Sequence, residues 1–237
     1  MDIATIAPKS LLSLCELTKL QLCYAELALK DNEYRKFYQN VKGIVVLDHS
    51  PRIPRKSLSE EHFLEAIELI NPNVIILPDV DFSAGTTVSK SLKLLQSIEP
   101  KRRDRCVGVL QGTNFKEIKE CYKTFKRHCG IIGLASSAEK VMPRKQIADK
   151  LKIKKLLLLL EVFSNPVDEL ITDERLLGIC TSYHIRLAAE GRTLKNYTPT
   201  PKLLDFYVDY EMHYALAEHN LQTYKKHFKK EINRETR

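Results

Sequence analysis

The stretch Val107–Leu134 reads VGVLQGTNFKEIKECYKTFKRHCGIIGL, and its pattern changes twice. Val107–Leu110 is a short apolar run of buried-strand length. Gln111-Gly112-Thr113 is a polar, glycine-bearing break. Asn114 then precedes Phe115, Ile118 and Tyr122, spaced three and four apart, which is a capped amphipathic helix running to about His128. Ile131–Leu134 is a second apolar run. Strands that are apolar on both faces, separated by a helix, belong to a parallel sheet covered on both sides.

The same alternation extends in both directions. Further apolar runs lie at Leu20–Tyr24, Gly43–Leu47, Val74–Leu77 and Leu156–Leu160, with another candidate at Leu176–Cys180. Helical patterns lie at Asn32–Asn40, Glu60–Ile70, Thr86–Ile98 and Arg144–Leu151, and Ser59 before Glu60 and Glu61 is a second capped start. Six strand–helix units and a seventh strand predict an α/β fold, a TIM-like (β/α)8 barrel, although the eighth strand is not evident. An open doubly wound sheet is the alternative. Neither the dinucleotide-binding fingerprint nor the P-loop is present. After Asn196, Pro199 and Pro201 the text changes to a helical pattern rich in Tyr, His and Lys. The expected organisation is a barrel over 1–195 and a helical extension over 196–237 packed on it.

Composition narrows the class. Of 237 residues, 43% are hydrophobic, enough for one core, yet no apolar run approaches the roughly 20 residues of a membrane span. Met1–Ser10 lacks the basic start and apolar core of a secretory signal, so a cytoplasmic location is expected, the host cytoplasm for a viral protein. The six cysteines form no C-x-x-C pair, which argues against a disulfide framework or a zinc site. The net charge of +8 is unevenly spread, with basic clusters at Arg52–Lys56, Lys101–Arg105 and Lys225–Lys230 that suit either solvated loops or phosphate contact.

In a parallel barrel the reactive groups gather where the strands end. Asp48 follows the run at 45–47, Pro78-Asp79 follows 74–77, Gln111-Gly112 follows 107–110, Gly133-Leu134-Ala135 ends the next run, and Cys180-Thr181-Ser182 ends the last candidate strand. Carboxylates accept from ring N–H and amine groups, and a carboxamide or free backbone N–H donates to a carbonyl. Such a set suits a flat heterocycle with the hydrogen-bonding edge of guanine. Asp81 reads as solvated, His49 and His184 as surface or capping residues, and Tyr34, Phe37 and Tyr38 as core.

The segments Val46-Leu47-Asp48, Leu77-Pro78-Asp79, Val109-Leu110-Gln111-Gly112 and Ile132-Gly133-Leu134-Ala135-Ser136-Ser137 resemble successive motifs of the tRNA-guanine transglycosylase superfamily. The similarity covers roughly Leu20 to Arg192. Asp31–Tyr38 and Ala188–Arg192 resemble its short phage and bacterial branch, which inserts 7-deazaguanines into DNA. The resemblance implies a transferase that exchanges guanine for a 7-deazaguanine base through a covalent enzyme–nucleic acid intermediate, with DNA favoured over tRNA and no cofactor. It implies that Asp48 and Asp79 hold the base and move protons, that Gln111 and Gly112 contact it, and that Gly133, Leu134 and Ala135 line the pocket. Arg52, Arg55 and Lys56, which follow a strand, are the expected phosphate contacts, whereas Lys101–Arg105 precede one and belong on the opposite face.

Two departures from the family stand out. The cysteine/histidine zinc site of the tRNA enzymes has no counterpart here. Where the family carries its nucleophilic aspartate, this chain has Cys180, with Asp173 seven residues earlier as the carboxylate alternative. The competing reading is a non-catalytic paralogue or subunit that binds guanine or a deazaguanine without the chemistry. Whether the chain works singly or as a homodimer stays open.

Overall fold

A computed structural model describes residues 2–5, 7, 9–49, 58–159, 173–181, 217–223 and 225–226. Eight strands close into a parallel barrel in sequence order: β1 (Asp2–Thr5), β2 (Leu20–Tyr24), β3 (Ile44–Asp48), β4 (Val74–Ile76), β5 (Cys106–Leu110), β6 (Ile131–Ala135), β7 (Leu156–Leu159) and β8 (Leu176–Thr181). The strand that sequence periodicity does not reveal is the first. Its pairing with β8, Ala4 beside Cys180, closes the sheet and excludes the open alternative.

Six α-helices lie between the strands: α1 (Ala25–Lys30), α2 (Asn32–Asn40), α3 (Glu60–Ile70), α4 (Ala84–Ser97), α5 (Phe115–Phe125) and α6 (Arg144–Leu151). Three of their starts have a capping side chain. The side chain of Asp31 accepts from the backbone N–H of Glu33 and Tyr34, Ser59 from that of His62, and Asn114 from that of Glu117, each satisfying donors that a first turn leaves open. Tyr34 and Tyr38, one turn apart on α2, are buried, and the Tyr38 hydroxyl donates to the Leu22 carbonyl at 2.7 Å. The stretch Asp31–Tyr38 therefore carries a cap and two core tyrosines. At 217–223 the chain is helical, with Ala217 and Leu221 buried and the Lys225 ammonium on the Leu17 carbonyl. The expected boundary at 195/196 lies outside the described residues.

Register decides which residues face the barrel axis. A Cβ on Gly108 would come within 2.4 Å of the Phe125 ring on α5, so Gly108 faces the helices, and Val107 and Val109 face inward. Neighbouring paired residues of a parallel sheet share a face, and alternate residues along a strand do too. Val109 pairs with Gly133, Gly133 with Leu157, Leu159 with Cys180, Cys180 with Ala4, Ala4 with Leu20, and Tyr24 with Asp48. Near the C-terminal strand ends the inward positions are thus Ala4, Tyr24, Asp48, Ala135, Leu159 and Cys180. Ala4, Tyr24, Ala135 and Cys180 among them, with Ile76 and Val109, form the buried inner layer beneath the acidic strand ends.

Candidate active site

Asp48, Asp79 and Gln111 stand at the C-terminal ends of three consecutive strands, β3, β4 and β5. Gln111 is the hub. Its Nε2 donates to Asp79 Oδ2 at 2.6 Å and, more weakly, to Asp81 Oδ1 at 3.4 Å. Its Oε1 accepts from the backbone N–H of Phe82 at 3.1 Å and from the Ser137 hydroxyl at 2.8 Å. Two amide protons and two lone pairs all have partners. This pattern fixes the amide orientation, because a flipped carboxamide would set its oxygen against two carboxylates and its NH2 against an N–H.

The loop from β4 to α4 is pinned from below. Ser91 donates to the Pro78 carbonyl at 2.7 Å, Thr87 Oγ1 accepts from Val80 N at 2.9 Å, and both side chains are buried on α4. Ser83 N closes a turn onto the Val80 carbonyl at 3.0 Å. Asp79 is half-buried and Asp81 exposed, and both are presented on a loop with little freedom. Prealigned polar groups of this kind cost a ligand less ordering than flexible ones.

Asp48 is half-buried, and its Oδ1 accepts from the backbone N–H of His49 at 2.7 Å. His49 is not the surface residue that its polarity suggests. Its ring stacks on Phe63 with centroids 3.7 Å apart, and burial, helped by the Lys90 charge, pushes its pKa down to about 3. It is a neutral packing residue across the physiological range.

Several expectations need revision. Gln111, expected to touch the base directly, is 1% exposed and spends its whole hydrogen-bonding capacity on the protein. Its role in this geometry is to aim Asp79. Gly133, Leu134 and Ala135 lie inside β6, paired along β5 and β7, so no loop of free N–H groups forms there. Gly133 instead lets the side chains of Val107, Leu159 and Val109 pack closely, since a Cβ there would lie 3.0, 3.3 and 3.4 Å from them. Gly112 follows from backbone geometry. It has φ +157°, and a Cβ there would lie 2.8 Å from Glu117 Cβ, so it serves the turn into α5.

Cys180 occupies the inward position that the sequence suggests, near Asp48, but it is 2% exposed. Burial, and then the neighbouring Asp48 charge, pushes its thiol pKa up, so it stays a neutral thiol at pH 7. The nucleophile is the thiolate, which makes Cys180 a poor attacking group. Asp173 is no substitute. It precedes β8, at the N-terminal mouth of the barrel, where it pairs with Arg175, which also reaches Asp149 at 2.6 Å. That ion pair holds the Asp173 carboxyl below its ordinary range.

Arg52, Arg55 and Lys56 lie outside the described residues. Lys101–Arg105 form a 3₁₀ turn leading into β5, on the face away from Asp79, and Arg102 pairs there with Glu68 at 2.7 Å. Sequence reasoning missed Asp81 and Ser137 as members of the Gln111 network. Ser137 was visible only as part of a motif, and Asp81 only as an exposed loop acid. No three His, Cys, Asp or Glu side chains among the described residues are grouped to hold a metal, and none of the described helices is long and apolar enough to cross a membrane. In comparisons with protein-family models and with curated proteins, the chain matches no family model and no curated protein.

Proposed function

We propose that the C-terminal face of this barrel recognises a guanine-type base and exchanges it for a 7-deazaguanine in nucleic acid, DNA before tRNA. The observation that carries this reading is the locked Asp79–Gln111–Asp81 array beside Asp48. Guanine presents two adjacent donors, its ring N–H and its amine, and aligned carboxylates are the matching acceptors. The motif resemblance assigns the same residues to base binding.

In base exchange a carboxylate oxygen bonds to the sugar C1′ as the C1′–N9 bond breaks, and guanine leaves carrying a proton at N9. The incoming base then attacks C1′ through its own ring nitrogen, gives up a proton and frees the carboxylate. An extruded target base fits this scheme, because its edge must reach the rim from outside any duplex. The neutral, buried Cys180 favours a carboxylate over a thiolate in the first step. It is also the one observation that favours the second reading, a base-binding barrel without chemistry.

One experiment separates them. The protein is incubated with labelled 7-deazaguanine and either DNA or tRNA, and a denatured portion is examined for a mass-shifted adduct. Label entering DNA, lost in Asp79→Ala and retained in Cys180→Ala, supports base exchange. Base binding that depends on Asp79, with neither label transfer nor adduct, replaces it with the second reading. No base binding by the wild-type chain removes both.

A further inference from the structure

The large hydrophobic residues exposed among the described residues include one aromatic ring, Phe82, 38% exposed and three residues beyond Asp79. Its backbone sits in the left-handed region at φ +60°, which strains any side chain larger than a hydrogen. That conformation is held by the bond from Phe82 N–H to Gln111 Oε1 and by the Val80–Ser83 turn. The chain therefore keeps a strained residue at the site and turns its ring toward water, although burial would be the ordinary way to stabilise a phenyl group. The Lys140 ammonium lies 4.9 Å from the ring centroid, brought there by the 3₁₀ turn Ser136–Lys140 that follows β6. Two separate strand-end loops thus place an aromatic surface and a cation together at the rim of the acidic site.

From this geometry we infer a nucleotide subsite: Phe82 stacks a base that neighbours the target in a single-stranded nucleic acid, and Lys140 takes that nucleotide's phosphate. The inference rests on the base-exchange reading for the identity of the target, but the subsite does not require guanine. Every base has a π-face, so stacking on an exposed ring tolerates sequence, and a lysine beside it supplies the charge for the backbone. Lys140, 4.9 Å from the ring centroid, is the cation that the ring's own surroundings offer to a phosphate. The strained backbone gives the ring a fixed orientation relative to Gln111, and through Gln111 to Asp79, so the neighbour and the target are held in one frame.

The test uses the full chain and a fluorescein-labelled oligothymidylate, which lacks guanine. Binding is measured by anisotropy over a range of salt for wild type, Phe82→Ala, Phe82→Tyr and Lys140→Gln. Removing the ring is expected to weaken binding about five-fold or more, with Phe82→Tyr close to wild type. Lys140→Gln is expected to reduce the slope of log affinity against log salt by about 0.7, the value for one phosphate on a single strand. Equal binding by wild type and Phe82→Ala overturns the stacking role, as does Phe82→Tyr as weak as Phe82→Ala. An unchanged salt slope in Lys140→Gln overturns the phosphate contact. Failure of the base-exchange reading shows separately, as absence of guanine binding by a protein whose oligothymidylate affinity still depends on Phe82.

Discussion

Replacing Gln111 with glutamate changes one NH2 to an oxygen and leaves the shape intact, so it tests the hub without cutting a cavity. In the wild type Nε2 donates to two carboxylates, at 2.6 Å to Asp79 and at 3.4 Å to Asp81. Hydrogen bonds to a charged partner contribute about 1.5–3 kcal/mol each, and the longer of these two contributes less. At pH 7 Gln111→Glu loses the donor to Asp81 and can face Asp79 Oδ2 only by holding a proton against its ordinary pKa, so a loss of about 3 kcal/mol is expected. Carboxylate oxygens at that separation cannot both stay ionised, and the folded variant retains one shared proton. A carboxyl pKa raised in the folded state stabilises below the unfolded value near 4.3, and that contribution is lost as pH rises through the folded value. The stability gap between variant and wild type therefore widens with pH by up to about 1.4 kcal/mol per unit inside that window and narrows on acidification. Urea unfolding of both proteins at pH 5, 6, 7 and 8 measures the gap directly. A gap below about 0.5 kcal/mol at pH 7, or one flat in pH, refutes the hub.

Two further outcomes follow from packing and titration. His49 is held neutral in the fold, with its pKa lowered to about 3 by burial and by Lys90. Its stabilising contribution is complete above pH 6.5 and falls as pH drops toward 3, by at most about 2 kcal/mol at pH 5. His49→Phe should flatten the pH dependence of urea stability between pH 5 and 7, and equal slopes in the two proteins count against the stacked neutral ring. Gly108→Ala puts a methyl group 2.4 Å from the buried Phe125 ring and should destabilise by about 1–3 kcal/mol in the same measurement. The double variant Gly108→Ala/Phe125→Leu should recover part of that loss, and a neutral Gly108→Ala would mean that α5 sits farther from β5.

The barrel is readable from the chain because most of its strands are apolar on both faces and three of its helix starts carry caps. β2, α2, α3 and α6 begin and end at the residues that the text marks. The misses have physical causes. β1 is four residues with polar ends, DIAT, and what makes it a strand is its pairing with β8, an interaction across almost the whole chain. α1 follows β2 with no turn residue between them, so Leu20–Leu29 reads as one apolar stretch while the backbone changes from strand to helix within it. At the site, the strand-end positions of Asp48, Asp79 and Gln111 are legible because position along a strand is local information. What each group can do is set by neighbours distant in sequence. Gln111 looks like a free donor until Phe82, Asp79, Asp81 and Ser137 have used its valences. Cys180 looks reactive until its burial is known.

The closed valences of Gln111 also constrain how any nucleotide can lie. A ligand group that displaced the 2.6 Å bond to Asp79 would leave a buried amide proton unpaired, a loss on the order of 1–3 kcal/mol. A donor edge that approaches Asp79 and Asp81 without breaking that bond avoids this loss. A nucleotide carries both a donor edge and a phosphate, and under the proposed base-exchange reading its base edge lies toward the acids on the β4 loop, with sugar and phosphate away from them. Lys140, on the β6 loop and beside the Phe82 ring, lies on that outward side. In the proposed base-exchange reading the sugar C1′, between base and phosphate, lies toward the inward face of β3 that carries Asp48. In this pose Asp48 is the described carboxylate on the same inward face, and the Cys180 thiol beneath it is packing.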